Sequence, residues 1–467
     1  MLTGIRFRAE PTSEQAQRLS QWMGCARVIW NAKCEEDRYL RTYARKYLPM
    51  GTFPSVDQSY SQYKSELTPW LNECPSQILR NSATIWHQTY QKFLKGMCGR
   101  PVRKKKDGTG YLWLTRELFR LEQVDGQWTL ILGTQRNHLG TLKINWHRKP
   151  CQDQLPASIW IRKRAGRWTV SFSYDDGHIA PDSTPQDHLH WLRQCSANEL
   201  EEMITGLDRG IARPVQTHDT TYCPRKAVVA KQEGREKYIK RCQRKLARQQ
   251  KGSKRREQTK RRIALLHQQT ANARHDFLHW ASRQIVTKAQ VIVMEDLKLK
   301  NMTKRPKTKQ NKVTGKWDRN NASAKAGLNK ALLGTGLGML ETYITYKAER
   351  EGKPVFKVNP INTSRECAAC GYIHPDNRPT QSEFCCQRCG HTDNADHNAA
   401  LVIRKRAIQL ILHPGTGLSG RRGNVLIPAG TDAKAKPCKT REAKATCATV
   451  GPSKKKAFER APEARCL

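Results

Sequence analysis

Four cysteines and three carboxylates carry the most legible chemistry in this 467-residue chain. Cys367/Cys370 and Cys386/Cys389 form two CxxC pairs separated by fifteen residues. Each CxxC turn presents two thiolates to one point, and the segment between is long enough for a small hairpin, so the quartet suits one tetrahedral structural zinc. Cys385 stands beside Cys386 as a rival ligand, but only Cys386 keeps the CxxC spacing to Cys389. The remaining cysteines, such as Cys25, Cys34, Cys98, Cys195 and Cys242, follow no pattern and read as structural thiols.

Acids are outnumbered two to one by bases, 41 Asp+Glu against 84 Lys+Arg, so their placement is informative. Asp208 sits in a glycine-flanked apolar segment, Glu295 closes the apolar run VIVM, and Asp396 begins an apolar helical pattern. Carboxylates that end neighbouring elements of one sheet converge on a crevice there. Such oxygen donors suit Mg2+ or Mn2+, and a pair of these ions about 4 Å apart serves phosphodiester cleavage by activating water and stabilising the leaving oxygen. Taken singly, each acid reads better as a helix cap or a surface ion pair; the three together favour a site. Asp296 and Asp393 are the near neighbours that compete for the second and third places.

The elements that must position these groups follow from periodicity. Residues 3–9 alternate as a strand, and Pro11-Thr12-Ser13-Glu14 opens a helix with a capping signal. Apolar residues then recur at helical spacing to about residue 95, a helical block. From Tyr111 to Tyr174 come six short, turn-punctuated segments rich in β-branched and aromatic residues, as in an antiparallel barrel or sandwich that the N-terminal strand would join. The chain then alternates: strand with Asp208, a basic helix, an apolar helix, strand with Glu295, a helix over 328–352, strand 354–360, the cysteine segment, helix with Asp396. That order predicts an α/β domain interrupted by a zinc module, with a strand such as VIVM buried on both faces. The Lys/Asn-rich segment 301–325 reads as a loop.

The net charge of +43 demands a polyanion, and nucleic acid is the commonest one. It is concentrated in the stretch 231–262, which reads as one helix of about 45 Å with fifteen Lys/Arg against three Glu, suited to tracking phosphates. No run of about 18 apolar residues suggests a bilayer span, and the N-terminus lacks a secretory signal pattern. A cytoplasmic, nucleic-acid-associated protein is therefore expected.

The residues also resemble a family. GLDRG, VIVMEDL and the compound VNPINTSRECAACG, CCQRCG and NADHNAALVI look like the three RuvC-like nuclease motifs and embedded zinc ribbon of TnpB proteins. These are transposon-encoded RNA-guided DNA endonucleases related to compact type V CRISPR effectors. The N-terminal IRFRAEPTSEQ and GCARVIWN, then PWLNECPSQILR and PVRKKKDG, extend the resemblance to roughly residues 3–410.

The resemblance implies Asp208, Glu295 and Asp396 as catalytic Mg2+ ligands and Cys367, Cys370, Cys386 and Cys389 as zinc ligands. It implies a multidomain α+β protein. A wedge β-barrel spans 1–12 and 101–185, with a helical recognition domain at 13–100 and a linker at 186–200. A RuvC-like, RNase H-like nuclease domain spans 201–362 and 391–412, with the ribbon at 363–390 and a disordered basic tail at 413–467. Partners would be a structured guide RNA and double-stranded target DNA bearing a short adjacent motif, with specificity supplied by base pairing. The chain departs from its relatives at Arg209, where many carry a smaller or aliphatic residue; the side chain is expected on the opposite strand face. Other readings are a guided binder without cleavage, a compact type V effector, and an unguided nuclease or transposase.

Overall fold

In a computed structural model, residues 2–413 are described apart from 45–46, 48–55, 107, 136, 149–154, 180, 309, 311–313, 316 and 319; residues 427–428 are described as well. The chain divides into units Met1–Ala433 and Lys434–Leu467, and all described residues fall in the former.

The N-terminal strand β1 (Leu2–Glu10) buries alternate residues, Ile5, Phe7 and Ala9, as its sequence pattern requires. It lies inside a seven-stranded antiparallel sheet, between β5 (His138–Asn145) and β7 (Arg167–Asp175). The order is β2-β6-β7-β1-β5-β4-β3, with β2 Gly110–Thr115, β3 Phe119–Val124, β4 Gln127–Gly133 and β6 Ser158–Arg164. All six expected segments are strands. The barrel is open, however: edge strands β2 and β3 are joined by a single turn at Arg116–Leu118, and no ladder pairs them among the described residues.

Helices α1 (Ser13–Tyr39) and α2 (Ser76–Leu94) lie between β1 and β2 in sequence. A capping box starts α1: the Thr12 side chain takes the Gln15 N–H, and the Gln15 side chain returns to the Thr12 N–H. Leu19 and Trp22 of α1 and Ile78 and Leu79 of α2 share one core with Phe7, Leu114, Ile161 and Phe172. The expected helical domain over 13–100 shares its main core with the sheet and keeps a small cluster of its own at Trp30, Cys34, Val56 and Trp86; parting the helices from the sheet would expose large apolar side chains at roughly 1.5–3 kcal/mol each.

The other half is a three-layer sandwich around a second sheet, ordered β10-β9-β8-β11-β12-β15, with β9 Val215–Thr217, β10 Thr221–Tyr222 and β15 Ile427–Pro428 on its flanks. Its centre is parallel: β8 (Ile204–Asp208), β11 (Val291–Glu295) and β12 (Val355–Val358). Every residue of β11 is buried, as expected for a strand covered on both faces. Leu207, Ile292 and Met294 face Leu278 and Ile285 of helix α6 (Lys254–Lys288) and Leu340 and Ile344 of α8 (Leu337–Arg350). Ile204, Val291, Val293 and Phe356 face the opposite layer, where Ile403 and Ala407 of α9 (Ala395–Leu412) pack.

That second layer also holds Leu192 and Leu200, from α3 (Pro185–Leu192) and α4 (Ala197–Met203). The expected linker 186–200 is therefore helical and packed, held by capping boxes at Thr184 and Ser196. The basic stretch 231–262 is not one helix. It breaks between α5 (Lys226–Arg248) and α6, so its charges fold onto an antiparallel hairpin. The helix read over 328–352 breaks likewise at Gly336, between α7 (Ala322–Thr335) and α8. Of the expected tail, 414–426 and 429–467 lie outside the described residues. Ile427–Pro428, however, forms strand β15 against Phe356 and Lys357, so disorder fails at that pair.

Candidate metal centres

Strands β8 and β11 run parallel with Leu207 opposite Met294, so Asp208 and Glu295 end neighbouring strands on the same side. The third acid arrives from α9, which crosses β8 at Gly206. A Cβ there would lie 2.3 Å from the Ala400 carbonyl oxygen, so only glycine lets the helix backbone come this close. Asn394 caps α9, its side-chain oxygen taking the Asp396 N–H at 3.1 Å, which sets Asp396 in the first turn.

The charges of the other two acids are felt at Asp208. Burial pushes the Asp208 carboxyl up to about 7, and the charges of Glu295 and Asp396 add to the rise, against the Arg209 N–H and the Arg378 charge. Glu295 is also raised by burial, opposed by a hydrogen bond from Thr363 and the charges of Arg209 and Arg406. Two buried carboxyls whose charged forms are disfavoured, beside a third acid, make an oxygen donor set that fits a hard divalent ion. They are more widely set than the cysteines: among the described residues, the groups whose ligand atoms all close to within 4.8 Å do not include them.

Both competitors are engaged elsewhere. Asp296 pairs with Lys298 at 2.8 Å. Asp393 holds His397 Nδ1 at 2.6 Å, while His397 Nε2 meets the His218 carbonyl at 2.9 Å, tying the start of α9 to the turn after β9 (Val215–Thr217).

Arg209 lies on the face opposite Asp208, as expected, toward α8, whereas Asp208 shares its face with Gly206 and α9. The Arg209 side chain turns inward and is buried, donating to the Glu295 carbonyl at 2.6 Å and to Glu341 Oε2 at 2.6 Å. Thr363 and Arg378, which touches Asp396 at 3.4 Å, are further residues of the site that the sequence reading did not single out.

The four cysteines form one cluster. Cys367 and Cys389 sulfurs lie 3.6 Å apart, as do those of Cys370 and Cys386, and all four fall within 4.8 Å of one another. Tetrahedral zinc with Zn–S bonds of about 2.3 Å places its sulfurs about 3.8 Å apart, so the quartet, which includes Cys386, fits zinc. Cys385 is not in the cluster; it ends β13 (Glu383–Cys385), which pairs with β14 (Thr392–Asn394). Each knuckle closes on a glycine with positive φ: Gly371 N–H donates to the Cys367 carbonyl and Gly390 N–H to that of Cys386.

Asn398, fully buried on α9, joins the two centres. Its oxygen takes the Ala368 N–H at 2.9 Å and its amide donates to the Glu366 carbonyl at 2.8 Å, so the first knuckle is pinned two residues after Asp396. A polar residue at an apolar helical position was its only sequence signal.

A cavity of about 690 Å³ opens between α1, α2, β2 and β6. Arg27, Lys104, Lys105, Arg162, Lys163 and Arg164 line it together with Tyr111 and Trp113, and its lining contains no acid. Lys104 lies over the Trp30 and Tyr111 rings, and burial lowers its pKa to about 7.

Comparison with known families matches residues 202–306 to the IS605 OrfB family described as "Probable transposase". Residues 338–403 match a Cas12f1-like TNB domain, and residues 1–36 an IS605 OrfB helix-turn-helix domain. The last span here is a strand followed by one unbroken helix. The chain is 28% identical over 406 residues to "Putative RNA-guided DNA endonuclease InsQ" of Escherichia coli K12, covering 86% of this chain and 91% of that protein. It is 27% identical over 414 residues to "Putative RNA-guided DNA endonuclease" of Streptomyces pristinaespiralis, covering 85% and 88%. Its fold is similar to that in a cryo-EM structure of a Cas12f1–sgRNA–target DNA complex, with TM-score 0.50, 13% identity, and 86% and 98% of the two chains covered.

Proposed function

From a chain that belongs to the TnpB family of transposon-encoded proteins, we propose an RNA-guided DNA endonuclease that cuts guide-complementary double-stranded DNA in a Mg2+- or Mn2+-dependent RuvC-like site. The observation that carries this reading is the convergence of Asp208 and Glu295 at the adjacent ends of β8 and β11 with Asp396 in the first turn of α9, near enough that the Glu295 and Asp396 charges add to the rise of the Asp208 carboxyl. The relatives matched over most of the chain are named RNA-guided DNA endonucleases, and all three acids remain in place here.

A divalent ion held by the three acids would supply charge neutralisation and activation of water for phosphodiester hydrolysis. The chain's own residues do the positioning. Thr363 holds Glu295 Oε1, the Arg209 backbone N–H holds Asp208 Oδ1 at 2.8 Å, and Arg378 and the Asn394 cap hold Asp396. Zinc in the cysteine quartet is structural, because four thiolates close its coordination shell.

The seven-stranded sheet with α1 and α2 takes the part of the wedge and recognition lobe. Its acid-free basic and aromatic cavity supports a grip on nucleic-acid backbone and bases. The α5–α6 hairpin, with most of the charge in 231–262, supports a second grip on phosphates.

The test is to purify the protein from cells carrying its native flanking DNA, sequence the bound RNA, and assay cleavage of a plasmid matching the guide segment. Bound transposon-end RNA and guide-dependent cutting are expected. Absence of RNA, or cutting indifferent to the guide, would sink the proposal.

A further inference from the structure

Arg209 is an unusual neighbour for a cation site: a guanidinium buried to 4% exposure, one residue after an acid that the site needs ionised. Its contacts account for its presence. The backbone N–H donates to Asp208 Oδ1 at 2.8 Å. Nη2 donates to the Glu295 carbonyl oxygen at 2.6 Å, and Nη1 to Glu341 Oε2 at 2.6 Å. Glu341 is itself held from β12 by Lys357 Nζ at 2.8 Å on its other oxygen. One residue therefore bridges the end of β8, the end of β11 and helix α8, at the point where the β8–β11 ladder stops.

We propose that Arg209 is a positioning residue that fixes the separation of Asp208 and Glu295 and so sets the site's divalent-cation affinity and cleavage rate. This rests on the reading of Asp208, Glu295 and Asp396 as cation ligands. Beyond Leu207 and Met294 no further ladder pair joins these two strands, and Asp208 and Glu295 pair instead with Gln216 of β9 and Val358 of β12, so a side chain must supply any further tie between them. A planar guanidinium meets that need because it donates from two nitrogens in fixed directions, one to the Glu295 carbonyl and one to the Glu341 carboxylate. A lysine ammonium reaches one of those acceptors without holding the angle between them. Glu341 makes the arrangement tenable, since it compensates a cation that burial would otherwise penalise. It also draws part of the guanidinium charge away from the acids.

A positioning role and a purely electrostatic role predict opposite results. Mn2+ affinity of the full chain would be measured by calorimetry, and the Mg2+ dependence of cleavage with the protein–RNA complex as purified, for R209K, R209M, E341Q and D208A. Positioning predicts that R209K, although still cationic, raises the Mn2+ dissociation constant several-fold and lowers cleavage at saturating Mg2+ by roughly 10- to 100-fold, with R209M at least as impaired. E341Q should fall between wild type and R209K.

If charge alone mattered, R209K would match wild type and R209M would bind Mn2+ more tightly, because a competing cation is gone. That pattern overturns the proposal. Should R209M fail to fold, R209K still decides, because it retains charge and length. An inactive D208A beside a normal R209K rejects the role of Arg209 alone; D208A with wild-type cleavage and Mn2+ binding rejects the site reading on which it rests.

Discussion

Asp208 and Glu295 each stand one residue beyond a paired position, Leu207 opposite Met294, on adjacent parallel strands. This adjacency lets the Glu295 charge add to the rise of the Asp208 carboxyl, and on the proposed reading both acids serve one cation. Alanine at Asp208, Glu295 or Asp396 should therefore lower cleavage by roughly 10²- to 10⁴-fold, from loss of several kcal/mol of transition-state stabilisation, while guide-dependent target binding persists. Gel-shift and cleavage assays on one preparation separate the two effects. Loss of binding along with cutting would make these acids structural.

The pH dependence follows from the raised carboxyls. Asp208 is shifted up to about 7 and Glu295 is shifted upward, so between the unfolded values near 4 and the folded ones the native state holds more protons than the unfolded state. Their contribution to stability of the metal-free protein is thus full below about pH 4 and lost as pH rises toward about 7. Divalent cations need the ionised forms and act in the opposite sense. In thermal melts, the rise in Tm on adding Mg2+ should grow between about pH 5 and about pH 8. The D208N variant should show a smaller change; a wild-type increment independent of pH argues against a shared site.

Zinc content distinguishes the adjacent cysteines. Cys386 belongs to the quartet and Cys385 does not, so C386S should lose most of the zinc and lower the Tm, whereas C385S keeps one zinc per chain. Metal analysis of the two purified variants checks this, and the reverse result would exchange their roles.

Gly206 offers a test of how Asp396 is delivered. A methyl group there meets the Ala400 carbonyl at 2.3 Å and the Arg404 backbone nitrogen at 2.9 Å, neither of which is a flexible side-chain end. G206A should cost about 1–3 kcal/mol of stability by overpacking. It should also reduce cleavage, since α9 must shift and take Asp396 with it. Chemical denaturation and a cleavage assay read these separately, and an unaffected variant would mean that α9 is less tightly seated than described.

The sequence by itself determined the parts whose signal is local. Two CxxC pairs at the right spacing specify a zinc knuckle wherever the chain goes. Alternation specifies the strands from Tyr111 to Tyr174, and an all-apolar run specifies β11 as a central strand. The three acids stood out because Asp208 and Glu295 end apolar strands and Asp396 begins a helix with a clear pattern.

Only tertiary structure decided what those elements pack against. Hydrophobic periodicity states that a face is buried but not by which partner. Hence α1 and α2 read as a separate domain although their apolar faces complete the core of the seven-stranded sheet, and residues 186–200 read as a linker although Leu192 and Leu200 close the second sheet. Arg209 shows the limit most clearly. Strand alternation placed it on the face opposite Asp208, where it lies, but its partner there, the partly buried carboxylate of Glu341 on α8, stands 132 residues later in the chain. A partner that remote leaves no mark in the local pattern, so folding alone could reveal it.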